Sequence, residues 1–193
     1  LLSLLSGLLT PDQGQVFLDG EEITSVPRLQ VARKMNMIFQ NPNHQIFERT
    51  VWDDQILAID LLDLEEEKHI EKSHKLLKEV GLDDRTQQNP FSLSYGQKRR
   101  LNITSTTFYA PVIHLFDEPF IGQDVEGVEL IARMVQAFQE QGHISIISTH
   151  DPQFATQCCS RVIFMQNGSI LVDGKPSSVM KWLQANGESH YTY

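Results

Sequence analysis

Two short apolar runs, each leading into residues that can do chemistry, constrain this chain more than any other feature. Val112–Phe116 runs straight into Asp117-Glu118, and Ile144–Ser148 leads through Thr149 to His150-Asp151-Pro152. Between them, residues 124–141 place Val125, Val128, Ile131, Val135 and Phe138 at helical spacing. A third apolar run, Met35–Phe39, ends in Gln40. Apolar strands alternating with amphipathic helices predict an α/β sheet covered on both faces. In such open sheets ligands bind beyond the carboxyl ends of the strands, which is where Asp117, Glu118 and His150 fall.

The rest of the chain reads around that core. Leucines at 1, 2, 4, 5, 8 and 9 predict a buried helix ending near Thr10-Pro11. Gln15–Leu18 reads as a short strand, with a hairpin-type turn at Asp19-Gly20. Residues 65–80 predict a helix with Ile70, His74, Leu77 and Val80 on one face, a Glu71–Lys75 pair outside and Gly81 as its stop. Asn167-Gly168 between Arg161–Met165 and Ser169–Val172 is a hairpin signal, and a last helix is expected over Ser177–Gln184. The stretch 41–108, mostly helical and lying between strands, reads as an insertion into the α/β core.

Composition narrows the function classes. The 193 residues carry 25 Asp and Glu against 16 Lys and Arg, a net charge of −9, so no general electrostatic grip on nucleic acid is expected. No run of 18 apolar residues is present. Cys158 and Cys159 are adjacent and bridge each other only with strain, which points to a reducing compartment. The chain opens without Met in an apolar element, so an upstream segment is expected.

Each motif has two readings. Asp117 and Glu118 point in opposite directions on a strand, so one can hold Mg²⁺ while the other orients or deprotonates water; alternatively they are solvated acids ahead of Pro119. His150 is either a loop histidine or a donor to phosphate oxygen. Ser94-x-x-Gln97 is a capping box that needs no ligand. Lys98-Arg99-Arg100 in the following turn opposes the helix dipole, which a bound polyanion would reverse.

Taken together, these residues resemble the nucleotide-binding domain of ABC-type ATPases. Leu93-Ser94-Tyr95-Gly96-Gln97 resembles the signature, with Tyr95 where a second glycine is usual. Val112 through Glu118 resembles the Walker B strand, Asp124 the D-loop aspartate, Gln40 the Q-loop glutamine and His150 the switch histidine. The resemblance implies a P-loop NTPase-type α/β fold with a mainly parallel sheet and a C-terminal β-hairpin. It also implies one domain over 1–193, with a helical signature subdomain at 41–108 inserted in a core of 1–40 and 109–193.

The same resemblance implies an ATP- and Mg²⁺-dependent ATPase that pairs with a second such domain. Ser94, Tyr95, Gly96, Gln97 and Asp124 would contact ATP, and Asp117 and Gln40 the metal. Glu118, His150 and Gln40 would form the catalytic set. Gln40-Asn41-Pro42-Asn43-His44-Gln45-Ile46-Phe47 is similar to the Q-loop of energy-coupling-factor importers, which take up vitamins or transition-metal ions. That branch implies a peripheral position on the cytoplasmic face of the membrane. It also implies a transmembrane coupling subunit docked near Asn43–Asp54. A soluble relative, for example in iron–sulfur assembly, and a degenerate domain that pairs without hydrolysing are the other readings. The phosphate-binding pattern G-x-x-x-x-G-K-[ST] does not occur in these residues. This polypeptide by itself is therefore expected not to bind ATP measurably, and its first strands are expected to lie upstream.

Overall fold

Why the three apolar runs lie side by side follows from their connections, each long enough to cross over and return in the same direction. A computed structural model describes residues 1–188 and Tyr191, which fall into two compact units, Leu1–Ser148 and a second beginning at Thr149. In the first unit, α1 (Leu2–Leu5) precedes a small antiparallel hairpin of β1 (Phe17–Leu18) and β2 (Glu21–Glu22), then α2 (Arg28–Lys34) and β3 (Met35–Ile38). Helices α3 (Val51–Leu61), α4 (Glu66–Glu79) and α5 (Tyr95–Thr107) follow before β4 (Ile113–Asp117), α6 (Val125–Glu140) and β5 (Ile144–Ser148). Strands β3, β4 and β5 form one parallel sheet in that order.

Register decides what each face carries. Ile38, Phe116 and Ile147 are aligned partners, and with Ile103 of α5 and Ile131 and Val135 of α6 they build a core cluster on one face. The opposite face is closed at Met35 and Ile113 by Leu18, Ile23 and Val31 from the hairpin and α2. Over β5 that second face stays open, because Ile144 is 55% and Ile146 37% exposed. The expectation of a sheet covered on both faces therefore holds over β3 and β4 but not over β5.

The expected N-terminal helix is also shorter than its leucines suggest. Gly7 takes a left-handed φ of 70°, the helix ends, and Leu8 and Leu9 are exposed. In α4, Lys75 pairs with Glu79 at 3.9 Å rather than with Glu71. His74 stacks on Trp52 instead of entering the core. Leu77, Val80, Leu82, Leu93, Leu101 and Val51 form the core shared by α3, α4 and α5. Gly81 at φ 67° stops α4 as expected.

In the second unit, α7 (Pro152–Cys158) starts at Asp151, whose carboxylate accepts from the Gln153 and Phe154 amides. Strands β6 (Val162–Gln166) and β7 (Ser169–Gly174) pair antiparallel around Asn167-Gly168, both at positive φ. Helix α8 (Pro176–Ala185) buries Val179 and Leu183. Cys158 and Cys159 are free thiols. No helix among the described residues is long and apolar enough to cross a membrane.

A polar chain runs through the sheet's covered face. His114 is fully buried on β4, stacked on Phe138 of α6. Asn36 Nδ2 donates to the Thr106 carbonyl, so its Oδ1 accepts from His114 Nδ1 at 3.1 Å. His114 Nε2 must then accept from His143 Nδ1, also at 3.1 Å. Burial, helped by the neighbouring His143, pushes the His114 pKa down to about 4. The folded chain thus keeps His114 neutral where the unfolded chain, at an ordinary 6.5, takes a proton. Stability is full above pH 6.5 and is lost as pH falls toward 4, by at most about 3 kcal/mol. Urea denaturation at pH 7 and pH 5 should show this loss, and His114→Gln should flatten it. An unchanged pH slope in the variant would remove His114 as its source.

Candidate functional site

The backbone leaving β3 has no strand partner beyond Ile38, and side chains supply what the sheet does not. Gln45 imitates a strand edge: its Oε1 accepts from the Phe39 amide at 2.8 Å and its Nε2 donates to the Met37 carbonyl at 2.7 Å. Arg99, fully buried in α5, donates to the carbonyls of Phe39 and Gln40. The Tyr95 hydroxyl donates to the same Gln40 carbonyl at 2.7 Å. The Gln40 backbone is thereby fixed, while the residue itself stays exposed at the carboxyl end of the sheet.

Helix α5 begins with the capping box read from the sequence. The Gln97 amide donates to Ser94 Oγ at 3.2 Å, and the Ser94 amide donates to Gln97 Oε1 at 3.0 Å. Tyr95 and Gly96 head the helix, where backbone amides lack intrahelical acceptors. The basic run that follows corrects one expectation. Arg99 serves buried carbonyls, and Lys98 donates to Asn43 Oδ1 at 3.0 Å and lies over the Phe91 ring. Only Arg100, half-buried, is left of a cluster expected to face a polyanion. Burial lowers the Arg99 pKa, against which Tyr95 and Asp117 favour the charged form.

At the end of β4, Asp117 lies opposite Ser148 of β5, whose Oγ donates to Asp117 Oδ1 at 2.6 Å. The Glu118 amide donates to the Ser148 carbonyl at 3.1 Å. Glu118 has φ 47°, a left-handed conformation rare for a residue with a side chain, which redirects the chain at the sheet edge. Sequence reading passed over Ser148; the only signal for it was its register opposite Asp117. Asp124 caps α6, its Oδ1 accepting from the Gly127 amide at 2.8 Å. His150 belongs to the second unit, exposed and next to Asp151 at the start of α7.

The donor set at β4 fits a magnesium ion. One carboxylate, already oriented by a hydroxyl, is the typical protein contribution where phosphate oxygens and water complete an octahedron. Among the described residues no group of three or more His, Cys, Asp and Glu side chains is placed to hold a metal by itself.

Asp54, assigned from the sequence to a docking surface, is buried. Its Oδ1 accepts from the amides of Phe47 at 2.8 Å and Glu48 at 3.1 Å, and its Oδ2 has no partner. Desolvation raises its pKa, partly offset by those two amides. It therefore holds the loop 46–50 from beneath, leaving Phe47, 70% exposed, as the feature that loop displays.

The sequence model of a family described as ABC transporter matches residues 1–121. The energy-coupling factor transporter ATP-binding protein EcfA2 of Clostridium perfringens is 34% identical over 182 residues, covering 92% of this chain and 64% of that protein. A putative ABC transporter ATP-binding protein of Archaeoglobus fulgidus is 34% identical over 180 residues, covering 92% of this chain and 61% of the relative. The chain thus spans somewhat less than two thirds of the length of these curated relatives. Among solved structures, cbiO1 of Clostridium perfringens, described as part of the ABC transporter complex cbiONQ, aligns with a TM-score of 0.78 at 25% identity, over 99% of this chain and 77% of that one. A dimeric ATP-binding cassette in a post-hydrolysis state with ADP and Pi shares the fold, with a TM-score of 0.79 at 23% identity over 91% of this chain and 78% of its own.

Asp54→Ala should lower stability by about 2–4 kcal/mol in urea denaturation, because two inward amides lose their acceptor. Asp54→Asn keeps an oxygen acceptor and removes the desolvated charge, so it should lose less than half as much. Equal losses would show that the carboxylate's charge, not its acceptor oxygen, holds the loop.

Proposed function

The chain belongs to the ABC transporter family, and from that premise we propose that it forms the ATP-binding and ATP-hydrolysing part of an importer motor of the energy-coupling-factor type. The observation that carries this reading is the alignment of the sheet's carboxyl edge. Parallel register brings Asp117-Glu118 to the end of β4 beside Ser148 of β5, while Gln40 lies just past the end of the adjoining β3. The named relatives include ATP-binding proteins of energy-coupling factor transporters, which supports the branch.

In this reading Asp117, oriented by Ser148, and Gln40 hold Mg²⁺ together with the nucleotide's phosphates. When bound, the ion neutralises charge that develops on the transferred phosphoryl group. Glu118 orients or deprotonates the attacking water, its backbone fixed by the Ser148 carbonyl. His150 donates to a phosphate oxygen. Ser94, Gly96 and Gln97 present the amino end of α5 to the nucleotide of a facing second domain, where a helix N-terminus favours an anion. Asp124, at the start of α6, belongs to the same facing surface.

A transmembrane coupling subunit docks on the loop from Asn43 to Glu48, with exposed Phe47 as its apolar contact and Asp54 as the internal support. The motor works from the cytoplasmic face of the membrane, and the imported solute is a vitamin or a transition-metal ion. The domain arrangement of this reading is a helical segment, 41–108, set into the core formed by the rest of the chain.

In a protein that carries this chain together with a phosphate-binding loop, Glu118→Gln should lower ATP turnover by about 10²–10⁴ while nucleotide binding is retained. Steady-state phosphate release and equilibrium nucleotide binding, measured on the same preparation, test this. Turnover at the parent rate would overturn the role of Glu118, and absence of hydrolysis in the parent would favour a pairing domain without catalysis.

A further inference from the structure

Tyr95 does more than its place in a helix cap requires. The amino end of α5 is already closed by Ser94 and Gln97, so the side chain at 95 is not needed there. It turns back onto its own chain and touches two loops far apart in sequence. Its hydroxyl donates to the Gln40 carbonyl at 2.7 Å, in the loop after β3. Its ring lies against Gly122, in the loop before α6, so closely that a Cβ at 122 would stand 2.5 Å from Tyr95 Cδ1 and 3.0 Å from Cε1. Gly122 has φ 73°, so glycine suits that position for its backbone as well as for its lack of a side chain. The Arg99 guanidinium lies 5.9 Å from the centre of the same ring while donating to the Phe39 and Gln40 carbonyls. The next residue, Gly96, sits against the Gly122 carbonyl and the Gln123 side chain, each 3.4 Å from where its Cβ would be.

We propose that Tyr95 is a positioning residue that clasps the loop after β3 to the loop before α6, so that Gln40, Ser94 and Gly122–Asp124 keep one arrangement and shift together. The proposal rests on the reading that these three segments serve nucleotide, and it assigns Tyr95 to cis contacts in place of the ATP contact expected from the sequence. One ring and one hydroxyl carry the link. Motion of Gln40 is therefore passed to Gly122 through a rigid aromatic side chain rather than through the intervening 81 residues of backbone. A displacement at either loop alters the seat of the other.

Amide hydrogen exchange on the full 193-residue chain without nucleotide tests this, so its outcome stands apart from whether the chain takes part in ATP turnover. The Asn43 and His44 amides, hydrogen-bonded to Asn41, report the first loop. The Gln123 and Gly127 amides, bonded to Phe120 and Asp124, report the second. Tyr95→Phe keeps the ring and removes the hydroxyl, and should speed exchange in the first loop by about fivefold while leaving the second unchanged. Gly122→Ala pushes the ring away and should speed exchange at Asn43 and His44, remote from the substitution, when Tyr95 is present. In a Tyr95→Gly background the same Gly122→Ala change should leave the first loop's exchange where Tyr95→Gly alone sets it. Unchanged exchange at Asn43 and His44 in Tyr95→Phe would overturn the clasp. So would an effect of Gly122→Ala on the first loop that is equal with and without Tyr95. Should Gly122→Ala fail to fold, the Tyr95→Phe comparison decides by itself.

Discussion

A parallel strand that ends at the edge of its sheet leaves backbone groups that no neighbouring strand can pair, and this chain satisfies them with side chains from one helix and from the loop that follows the strand. Arg99 and Tyr95 of α5 close the Phe39 and Gln40 carbonyls, and Gln45 closes the turn behind them. The arrangement explains why an arginine is fully buried in a helix that otherwise buries Leu101, Ile103 and small polar side chains. It also explains why α5 lies where it does, since its first turn must reach β3 while Ile103 packs on the sheet. Once α5 is fixed, α3 and the loop after β3 follow: Thr104 donates to Gln55 of α3 at 2.7 Å, and Asn102 donates to the Pro42 carbonyl of the loop at 2.8 Å.

Where sequence reading succeeded, the signal was periodic or local. The strands β3, β4 and β5 are apolar runs interrupted inside only by Asn36 and His114, which pair with each other, and by the small Ser145. Helices α4 and α6 carry apolar residues at helical spacing, and the turns at Asp19-Gly20, Gly81 and Asn167-Gly168 need left-handed backbone that those residues adopt readily. The capping box at Ser94 and Gln97 is a four-residue pattern with one geometry.

What escaped was set by tertiary pairing. Helix α5 buries Arg99, Asn102, Thr104, Ser105 and Thr107, a composition that reads as an exposed helix until its partners on α3, the loop 39–42 and β3 are known. Asp54 follows Asp53 in the first turn of α3 and looks like surface, but the two amides it receives come from a loop that folds over it. Ser148 gains its role only from register across the sheet. In the candidate site, residue types were therefore legible and their neighbours were not.

Glu118 stands at φ 47° between a buried strand and Pro119, in a conformation that glycine adopts freely and glutamate does not. Judged on backbone alone, glycine is the better residue there, by about 1 kcal/mol. Selection for a sturdier fold and selection for the carboxylate consequently pull this position in opposite directions. The backbone strain at the sheet edge is thus the cost of keeping an acid at this position.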